Sequence, residues 1–334
     1  MRHPAMPRIA IIGAGMAGIA CAQALQKMGC SPVLLEKSRG MGGRLATRRT
    51  AEGEQFDHGA QYITAQEPAF QQMLQTLERY SSAAWTPLDP ARSTPPPQRW
   101  MVGTPGMSAL LKPLAATLQL HTRTTVTAIG WSAEGWQLHT DTQATVGPFD
   151  AVVCTAPAAQ CHALFTNFPA MQAALASVRM APCWAVMLRF ADALPLPFDA
   201  RRYQAGAIGW LARQASRPDN SGTPHRWVLH ASAEWSEAHL EESAEQVLTQ
   251  LQQELACLLG APLPPLSYAA AHRWRYALTT QPLGQPFLAN DDGSLYAAGD
   301  WCLGARVECA HRSGEAVAAA LATRFALSER RGGD

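Results

Sequence analysis

"RIAIIGAGMAGIACAQALQKMGCSPVLLEK", residues 8–37, is the stretch that decides the fold. Its apolar run at residues 9–12 predicts a buried strand, an uncharged segment long enough for a helix follows, and a second apolar run ends at Glu36. Three glycines with the spacing GxGxxG lie between the first strand and the helix. This order of strand, glycine turn, helix and strand predicts a β-α-β unit with a dinucleotide at the helix N-terminus.

Each glycine of the motif has a separate physical task. Gly13 permits the tight turn, Gly15 lets backbone amides approach a pyrophosphate, and Gly18 lets the helix pack closely on the strand. Glu36 ends the second strand, where a carboxylate accepts hydrogen bonds from an adenosine ribose. The motif leaves NAD and FAD open, because both contain ADP. The candidate binding residues of this unit are Gly13, Ala14, Gly15, Met16, Ala17, Gly18, Glu36 and Lys37.

A second glycine pair, Gly42–Gly43, follows the ribose-binding acid and immediately precedes Arg44. Paired glycines let the chain pass close to a pyrophosphate, and a guanidinium can neutralise it. A simple nicotinamide dehydrogenase has no need of this second loop. The alternative for Arg44 is an ordinary surface side chain in a turn.

The segment "AGDWCLGARVECAHRSGEAV", residues 298–317, has the layout of another ligand-binding turn near the other end of the chain. A strand of small residues leads into Gly299 and Asp300, and a helix is predicted to begin near Arg306. Asp300 is either a ligand-binding carboxylate or a helix N-cap without a ligand. The sequence therefore places candidate binding turns at both ends of the chain.

The middle of the chain predicts a second sheet. A hairpin is expected at residues 122–141 and a buried strand at 149–157. An amphipathic helix at 241–260 ends at Gly260. The polar loop 213–226 is expected to be mobile and is a candidate lid. Further helices, strands and loops are predicted at 69–80 (helix), 183–190, 205–212 and 226–232 (strands), and 87–98 (proline-rich loop).

Composition narrows the class of function. The chain has 334 residues and a net charge of +1, so nothing indicates a nucleic-acid surface or a polybasic membrane anchor. The eight cysteines have no CxxC or metal-finger spacing and indicate reduced thiols, so a cytoplasmic location is expected. The uncharged stretch 9–26 contains three glycines and two glutamines, which argues against a signal peptide or membrane span. A small-molecule site without a metal is the remaining expectation.

Five strings together resemble the flavin amine oxidase superfamily, and within it the bacterial branch of the renalase family. The strings are "GAGMAG" (13–18), Glu36, "GGR" (42–44), "FDHGAQYIT" (56–64) and "YAAGDWCLGARVECAHRSGEAVAAAL" (296–321). The features that resemble renalases are Gln61 to Thr64, "WVLHAS" with His230, and "HRWRYALT" at 272–279. The similarity spans the whole chain in order, and it is dense at the ends and thin between about 65 and 200.

The resemblance implies an α/β fold with a Rossmann-like FAD-binding domain of the p-hydroxybenzoate hydroxylase-like type. A second α+β substrate domain on a mostly antiparallel sheet is implied as well. The expected FAD-binding domain is discontinuous, and the substrate domain fills its gaps. The expected boundaries are 1–65, 100–160 and 290–330 for the FAD-binding domain, and 66–99 and 161–289 for the substrate domain.

In this family FAD lies extended, which would explain why both ends of the chain carry a predicted binding turn. The resemblance implies that Asp300 accepts hydrogen bonds from the ribityl chain and that amides near Val307 and Glu308 face the flavin pyrimidine edge. It also implies that the backbone of Val126 meets the adenine and that Thr155 lies close to the dinucleotide. Family members that attach flavin covalently use a cysteine followed by tyrosine in a glycine-rich string, which Cys302 and Cys309 lack, so non-covalent FAD is predicted. The remaining implied FAD contacts are Gly42, Gly43, Arg44, Gln61, Tyr62 and Gly299.

The candidate substrate contacts are mostly aromatic. On the strand 226–232, His230 is either a substrate hydrogen-bonding group or a histidine satisfied within the sheet. Trp274 and Arg273 lie on opposite faces of the strand 272–279, and which face meets the substrate stays open. For each aromatic residue, sheet packing and a pocket wall are both open. The full set of catalytic candidates is Tyr62, Trp210, His230, Arg273, Trp274 and Trp301.

Renalases oxidise the 2- and 6-dihydro isomers of NAD(P)H to NAD(P)+ and pass the electrons to O2, giving H2O2. The resemblance therefore implies a dihydronicotinamide substrate and O2 as acceptor. The absence of a strong general base among the candidates fits, because a dihydropyridine that loses hydride becomes aromatic and needs no base. The alternatives are a flavin amine oxidase, amino-acid oxidase or desaturase, and more remotely a non-catalytic flavin-binding redox sensor.

Overall fold

Two sheets dominate the computed structural model, which describes residues 6–91, 98–220 and 224–328. The helices of the described residues are α1 (Met16–Lys27), α2 (Pro68–Leu77), α3 (Lys112–Ala115), α4 (Ala158–Leu164), α5 (Pro169–Leu175), α6 (Ala233–Ala238), α7 (Ala244–Leu259) and α8 (Val307–Phe325). The strands are β1 (Ile9–Ile12), β2 (Val33–Glu36), β3 (Thr47–Arg49), β4 (Gln55–Asp57), β5 (Ser82–Ala84), β6 (Met101–Gly103), β7 (Gln119–Thr122), β8 (Val126–Ser132), β9 (Gly135–Thr140), β10 (Thr145–Phe149), β11 (Ala151–Cys154), β12 (Arg179–Phe190), β13 (Ala200–Arg202), β14 (Ile208–Arg213), β15 (Arg226–Ala231), β16 (Leu266–Gln281), β17 (Leu288–Ala289) and β18 (Leu295–Ala297).

The chain divides into two units, each made from separate stretches of sequence. The first comprises Met1–Gly43, Leu111–Arg179 and Thr279–Asp334, and the second comprises Arg44–Leu110 and Met180–Leu278.

The first unit is built on a six-stranded sheet with the order β17-β18-β11-β1-β2-β7. Strands β18, β11, β1, β2 and β7 pair in parallel, and β17 joins the edge antiparallel. The central strand β1 consists of four buried apolar residues, because both faces of a parallel sheet are covered by other elements. The predicted α/β class with a dinucleotide-binding β-α-β unit is confirmed.

Helix α1 is buried on almost every side because α8 packs against it. At Gly314 of α8, a Cβ atom would lie 2.1 Å from the carbonyl oxygen of Ala17, so the two helices approach more closely than any side chain would permit. A three-stranded sheet, β10-β9-β8, contains the predicted hairpin and also belongs to this unit.

The second unit is built on a five-stranded sheet with the order β13-β14-β15-β12-β16, in which β13, β14, β15 and β12 pair antiparallel. Helix α7 covers one face of it through Val247, Leu251 and Leu255. This helix begins with a capping box formed by Ser243 and Gln246, and Gly260 ends it in the left-handed conformation at φ 65°, as its sequence predicts. The predicted mostly antiparallel second sheet is therefore confirmed.

The observed boundaries of the units differ from those expected from the sequence. Residues 44–65 and 100–110 lie in the second unit, whereas the sequence analysis assigned them to the first. The physical reason is Phe56, which is fully buried and packs with Met187 and Val228 of the second sheet. Conversely, residues 161–179 and 279–289, which were expected in the substrate domain, lie in the first unit.

The structure describes only parts of the two loops predicted at 87–98 and 213–226. Residues 92–97 of the proline-rich loop 87–98 lie outside the described residues, as do residues 221–223 of the loop 213–226. The described part of the second loop contradicts the expectation of a mobile polar loop, because Gln214, Arg217 and Asn220 are at most 5% exposed. A polar sequence is typical of an exposed loop, but partners elsewhere in the second unit bury these side chains.

No described helix is both long enough and sufficiently apolar to cross a membrane. All eight cysteines carry free thiols.

Candidate active site

The glycine turn of the first unit has the geometry that its sequence predicts. Gly13 has φ 103°, a conformation that side chains rarely adopt, and Gly18 packs so closely that a Cβ would lie 2.1 Å from the carbonyl oxygen of Gly13. Gly15 differs, because no heavy atom of the described residues lies within 4 Å of its ideal Cβ position. The turn is therefore closed on the helix side and open over Gly15, where a phosphate can approach the backbone.

Glu36 is a buried carboxylate held beside this turn. Its exposed fraction is 6%, and it accepts hydrogen bonds from the amides of Ala14 (2.9 Å) and Ser38 (2.8 Å). A carboxylate has about four acceptor positions, so two amides leave capacity for ribose hydroxyls. The two amides also fix the carboxylate in one orientation.

The second glycine loop and the segment "CTAP", residues 154–157, both lie against the same turn. The amide of Gly42 donates to the carbonyl of Ala14 at 2.9 Å, and the Cβ position of Gly43 lies 3.8 Å from the Cα of Gly15. From the other side, the Thr155 hydroxyl donates to the carbonyls of Ile12 at 2.9 Å and Gly13 at 3.1 Å. Three segments that are far apart in the sequence thus surround the opening over Gly15.

In the C-terminal motif, Asp300 follows directly after β18 of the six-stranded sheet. The amide of Gly299 donates to the Ser313 hydroxyl at 2.9 Å, and Asp300, 6% exposed, accepts from the Thr279 hydroxyl at 3.3 Å. Helix α8 begins at Val307, close to the predicted residue 306, and its positive end favours anionic groups. Glu308 is buried in its first turn and forms an ion pair with Arg306 at 3.1 Å.

These residues fit an extended dinucleotide such as FAD. A Cβ at Gly13 or Gly18 would collide with the turn, the space over Gly15 is open, and buried acids lie at Glu36 and Asp300. This combination provides close backbone approach for a pyrophosphate and carboxylate acceptors for hydroxyl groups.

The other predicted cofactor contacts lie in both units, most of them in the first. Met16 and Ala17 lie in the first turn of α1, and Val126 begins β8. Lys37 is exposed and donates to the Gln160 side chain at 3.2 Å. Arg44 opens the second unit, where its guanidinium donates to the carbonyl of Ala277 at 3.1 Å.

The sheet of the second unit has one face that is rich in polar and aromatic groups. On β15, Trp227 and Leu229 pack in the core beside α7, so Val228 and His230 lie on the opposite face. Trp210 of β14 is the neighbour of His230 in the register. The candidates for substrate contact on these strands therefore lie on the face of the sheet away from α7.

Gln61 is the centre of this face. Its amide nitrogen Nε2 lies 2.6 Å from the carbonyl of Asp57 and 3.0 Å from that of Gly59, and its Oε1 accepts from the indole of Trp210 at 3.2 Å. Arg217 donates to both Oε1 (2.9 Å) and the backbone carbonyl (2.7 Å) of Gln61. Each of these partners can either only donate or only accept a hydrogen bond, so the orientation of the Gln61 amide is unambiguous.

His230 is a neutral hydrogen-bonding group at physiological pH. Its Nε2 lies 3.1 Å from the carbonyl oxygen of His58 and 3.3 Å from Nε2 of Gln61. The carbonyl can only accept, and both hydrogens of the Gln61 amide are already directed at carbonyls, so Nε2 of His230 carries its proton. Burial lowers the pKa of His230 to about 4, so Nδ1 is an unprotonated acceptor at neutral pH.

His58 contacts two other aromatic residues of this face. Its ring is stacked with Trp274 at 5.3 Å and lies edge-on to His272 at 4.9 Å, and the Trp274 indole donates to the carbonyl of His58 at 2.9 Å. Burial lowers the pKa of His58 to about 3, and that of His272 is lowered as well.

Tyr62 belongs to a second aromatic group. Its ring is stacked on Trp100 at a centroid distance of 3.8 Å, and both rings lie within 6 Å of Trp210. Arg202 lies 5.5 Å above the Trp210 ring and 3.4 Å from the Tyr62 hydroxyl. Trp100 and Trp210 are buried, at 8% and 3% exposed, whereas Tyr62 is partly exposed.

The structure does not bring two of the catalytic candidates into this set. Arg273 lies on the other face of β16, where it donates to the carbonyl of Leu240 and pairs with Glu241. Trp301 belongs to the first unit, is fully buried and donates its indole hydrogen to the carbonyl of Ala156 at 3.0 Å. The face of the strand 272–279 that carries His272 and Trp274 is the one that lies beside His58.

Sequence reasoning missed four residues of this network. Asp57 and His58 lie within the string "FDHGAQYIT", so proximity to Gln61 could have indicated them. Trp100 and Arg217 lie far away in sequence and carry no motif.

Comparison with known proteins agrees with this geometry. Residues 76–322 match the model of the family described as flavin containing amine oxidoreductase, and residues 11–77 match an NAD(P)-binding Rossmann-like domain. A curated relative, 15-cis-phytoene desaturase of Synechococcus elongatus, is 30% identical over 78 residues. That match covers 23% of this chain, and the chain spans 16% of the relative's length.

Two solved structures share the fold over almost the whole chain. A putative protoporphyrinogen oxidase from Exiguobacterium sp. has a TM-score of 0.71 at 15% identity, with 97% of this chain and 100% of that chain covered. A putrescine oxidase with a redesigned cofactor site has a TM-score of 0.70 at 13% identity, with 96% and 99% covered. The first family model spans most of the chain, and the glycine turn, Glu36 and Asp300 fit FAD. The protein is therefore an FAD-dependent oxidoreductase that belongs to the flavin-containing amine oxidoreductase family.

Proposed function

We propose that this protein oxidises the 2- and 6-dihydro isomers of NAD(P)H to NAD(P)+ with non-covalently bound FAD. When bound, FAD accepts a hydride from the substrate and delivers two electrons to O2, which takes up two protons and yields H2O2. In the proposal Glu36, Asp300 and the glycine turns of the first unit hold the cofactor, and residues of the second unit contact the substrate.

The observation that supports this substrate class is the hydrogen bonding of His230, whose Nε2 lies 3.1 Å from the carbonyl oxygen of His58. With a pKa of about 4, this imidazole is a weak base at neutral pH but a good hydrogen-bond acceptor. A dihydropyridine becomes aromatic on losing hydride, so its oxidation requires positioning and no base. In this proposal the acceptor Nδ1 meets the N–H of a carboxamide, and the partly exposed ring of Tyr62 meets the flat heterocycle.

Two of the catalytic candidates have structural roles in this proposal. Arg273 anchors the connection to α7 through Leu240 and Glu241, and Trp301 fills the core of the first unit. Tyr62, Trp210, His230 and Trp274 are retained as substrate contacts.

Oxidation of an amine is the second candidate. The family match favours it. An amine substrate differs in one respect: its ammonium form must lose a proton before hydride transfer, and His230 with a pKa of about 4 is poorly suited to remove it.

The two candidates are separated by mixing the FAD-loaded protein with donors in the absence of oxygen and following the visible flavin absorbance. We expect 6-dihydroNAD to bleach the flavin within seconds, and air to restore the colour with one H2O2 formed per turnover. Ordinary NADH, which differs only in the position of the transferred hydrogen, is the matched control and is expected to react far more slowly. Bleaching by putrescine or benzylamine but not by 6-dihydroNAD would overturn the proposal in favour of amine oxidation.

A further inference from the structure

Arg202 is an exposed cation on β13, the edge strand of the sheet in the second unit. It pairs with Trp210 in the register, and its guanidinium carbon lies 5.5 Å from the centre of the Trp210 ring. Its Nη2 donates to the Tyr62 hydroxyl at 3.4 Å. Since Trp210 is also the register neighbour of His230, the guanidinium of Arg202 lies on the face of the sheet that carries the substrate candidates.

Arg202 has no carboxylate partner among the described residues. Two other arginines of the same strand pair differ in this respect, since Arg201 pairs with Asp89 at 2.7 Å and Arg213 pairs with Asp199. A guanidinium has five N–H donors, and one hydroxyl group and the face of a ring satisfy few of them. Most donors of Arg202 are therefore open to an anion from solvent.

Positive charge surrounds the histidines of this face. Burial lowers the pKa of His58, His230 and His272, and arginine charges lower it further. Arg202 acts on His230 in this way, and the exposed Arg48 acts on His58 and His272. No carboxylate of the described residues contributes to these three shifts. Such a face attracts an anionic ligand and repels a protonated amine.

A dinucleotide matches this charge. The substrate of the proposed function carries a negatively charged diphosphate, which one ribose separates from the dihydronicotinamide ring. A guanidinium suits a phosphate because its planar fork can donate two parallel hydrogen bonds to the phosphate oxygens. We propose that Arg202 binds the diphosphate of the substrate and thereby selects dinucleotides over dihydronicotinamides that lack phosphate. This inference rests on the proposed function and deepens it, because it assigns a residue to the anionic part of the substrate.

The test compares three variants with the wild-type holoenzyme. Arg202→Gln removes the charge and keeps a polar side chain at an exposed position, and Arg202→Lys keeps the charge without the fork. The matched control is Arg49→Gln, which removes one positive charge from an exposed residue of the same unit. Arg49 follows Arg48 on β3 and is not among the charges that lower the pKa of the three histidines.

The substrates are 6-dihydroNAD and the riboside of 6-dihydronicotinamide, which has the same ring and ribose without phosphate. In the wild type and in Arg49→Gln, kcat/KM for the dinucleotide should exceed that for the riboside by about tenfold or more. Arg202→Gln should raise KM for the dinucleotide about tenfold, with kcat and the riboside reaction within about twofold of the wild type. Arg202→Lys should fall between the two. Added salt should raise KM for the dinucleotide in the wild type and much less in Arg202→Gln, because ions screen the attraction.

Binding of ADP-ribose to the FAD-loaded protein, measured by calorimetry, tests the same contact without a hydride donor. ADP-ribose carries the diphosphate of the substrate but no dihydronicotinamide ring, and bound FAD excludes it from the cofactor site. The wild type and Arg49→Gln should bind it with equal affinity, and Arg202→Gln should bind it about tenfold more weakly.

Each outcome decides the inference. An Arg202→Gln protein that keeps the preference for the dinucleotide and the affinity for ADP-ribose would overturn it. An equal loss with the riboside, or a loss seen with 6-dihydroNADP but not with 6-dihydroNAD, would overturn it as well, since Arg202 would then contact the ring or the 2′-phosphate. A wild type that binds ADP-ribose through Arg202 but is not reduced by 6-dihydroNAD would support the role of Arg202 and refute the proposed function alone.

Discussion

Replacing two glycines of the same turn by alanine should give opposite results. In Gly18→Ala the new Cβ would lie 2.1 Å from the carbonyl oxygen of Gly13 and 3.0 Å from the Thr155 hydroxyl, whereas in Gly15→Ala it would meet no described heavy atom within 4 Å. The first substitution therefore perturbs packing, and the second only fills the space that we assign to the pyrophosphate.

The magnitudes follow from these distances. Overpacking against backbone costs up to about 3 kcal/mol, and alanine recovers about 1 kcal/mol of helix propensity at Gly18, so the free energy of unfolding should fall by about 2 kcal/mol. For a unit of this size that lowers Tm by about 4 to 8 °C. At Gly15, which already has φ −80°, stability should change by less than about 0.5 kcal/mol. Loss of one hydrogen bond to a charged phosphate there should weaken FAD binding about 10- to 100-fold.

The assay is thermal unfolding of the FAD-free protein, followed by titration with FAD and detection of flavin fluorescence. Gly40→Ala is the control, because Gly40 is exposed in the adjoining loop and has open space at its Cβ position, so both quantities should stay at wild-type values. A Gly15→Ala protein that binds FAD with wild-type affinity would refute the assignment of the pyrophosphate to this opening. A Gly18→Ala protein as stable as the wild type would refute the packing argument.

Three further results are expected. Glu36→Gln should weaken FAD binding about tenfold in the same titration. The two carboxylate oxygens of Glu36 each accept from one backbone amide, of Ala14 and of Ser38, whereas a glutamine side chain has only one oxygen that can accept. The urea midpoint should decrease as the pH falls from about 6.5 to 4, because the folded state lowers the pKa of His58 to about 3 and of His230 to about 4, so the unfolded chain binds protons first. A His58→Asn variant should show a flatter dependence, and an equally steep one would contradict this cause. Arg273→Ala should lower stability by less than about 1 kcal/mol and leave KM for 6-dihydroNAD unchanged, because its partner Glu241 is exposed; a large rise in KM would place Arg273 at the substrate after all.

The sequence predicted those features that depend on local pattern. The turn at Gly13 and the end of α7 at Gly260 could be predicted because each depends on a backbone conformation that glycine adopts most readily. The faces of β16 could be separated from the sequence, since alternate residues must lie on opposite sides, but the choice between Arg273 and Trp274 needed the position of α7.

The polar network could not be predicted because it depends on tertiary partners. Arg217 follows a polar loop sequence that resembles exposed loops, and only the distant Asp57 and Gln61 make its burial possible. The boundary after Gly43 was missed for a similar reason, since Phe56 is apolar in either unit and only its neighbours decide where it packs.

The close crossing of α1 and α8 at Gly314 also bears on biosynthesis. About 280 residues separate the end of α1 from the start of α8, which corresponds to about 15 to 60 s of translation. During that interval α8, which packs against α1 in the native unit, has not been made, while both stretches of the second unit are translated. The native packing of α1, and with it the cofactor site that α8 helps to build, is therefore completed only after α8 has been translated.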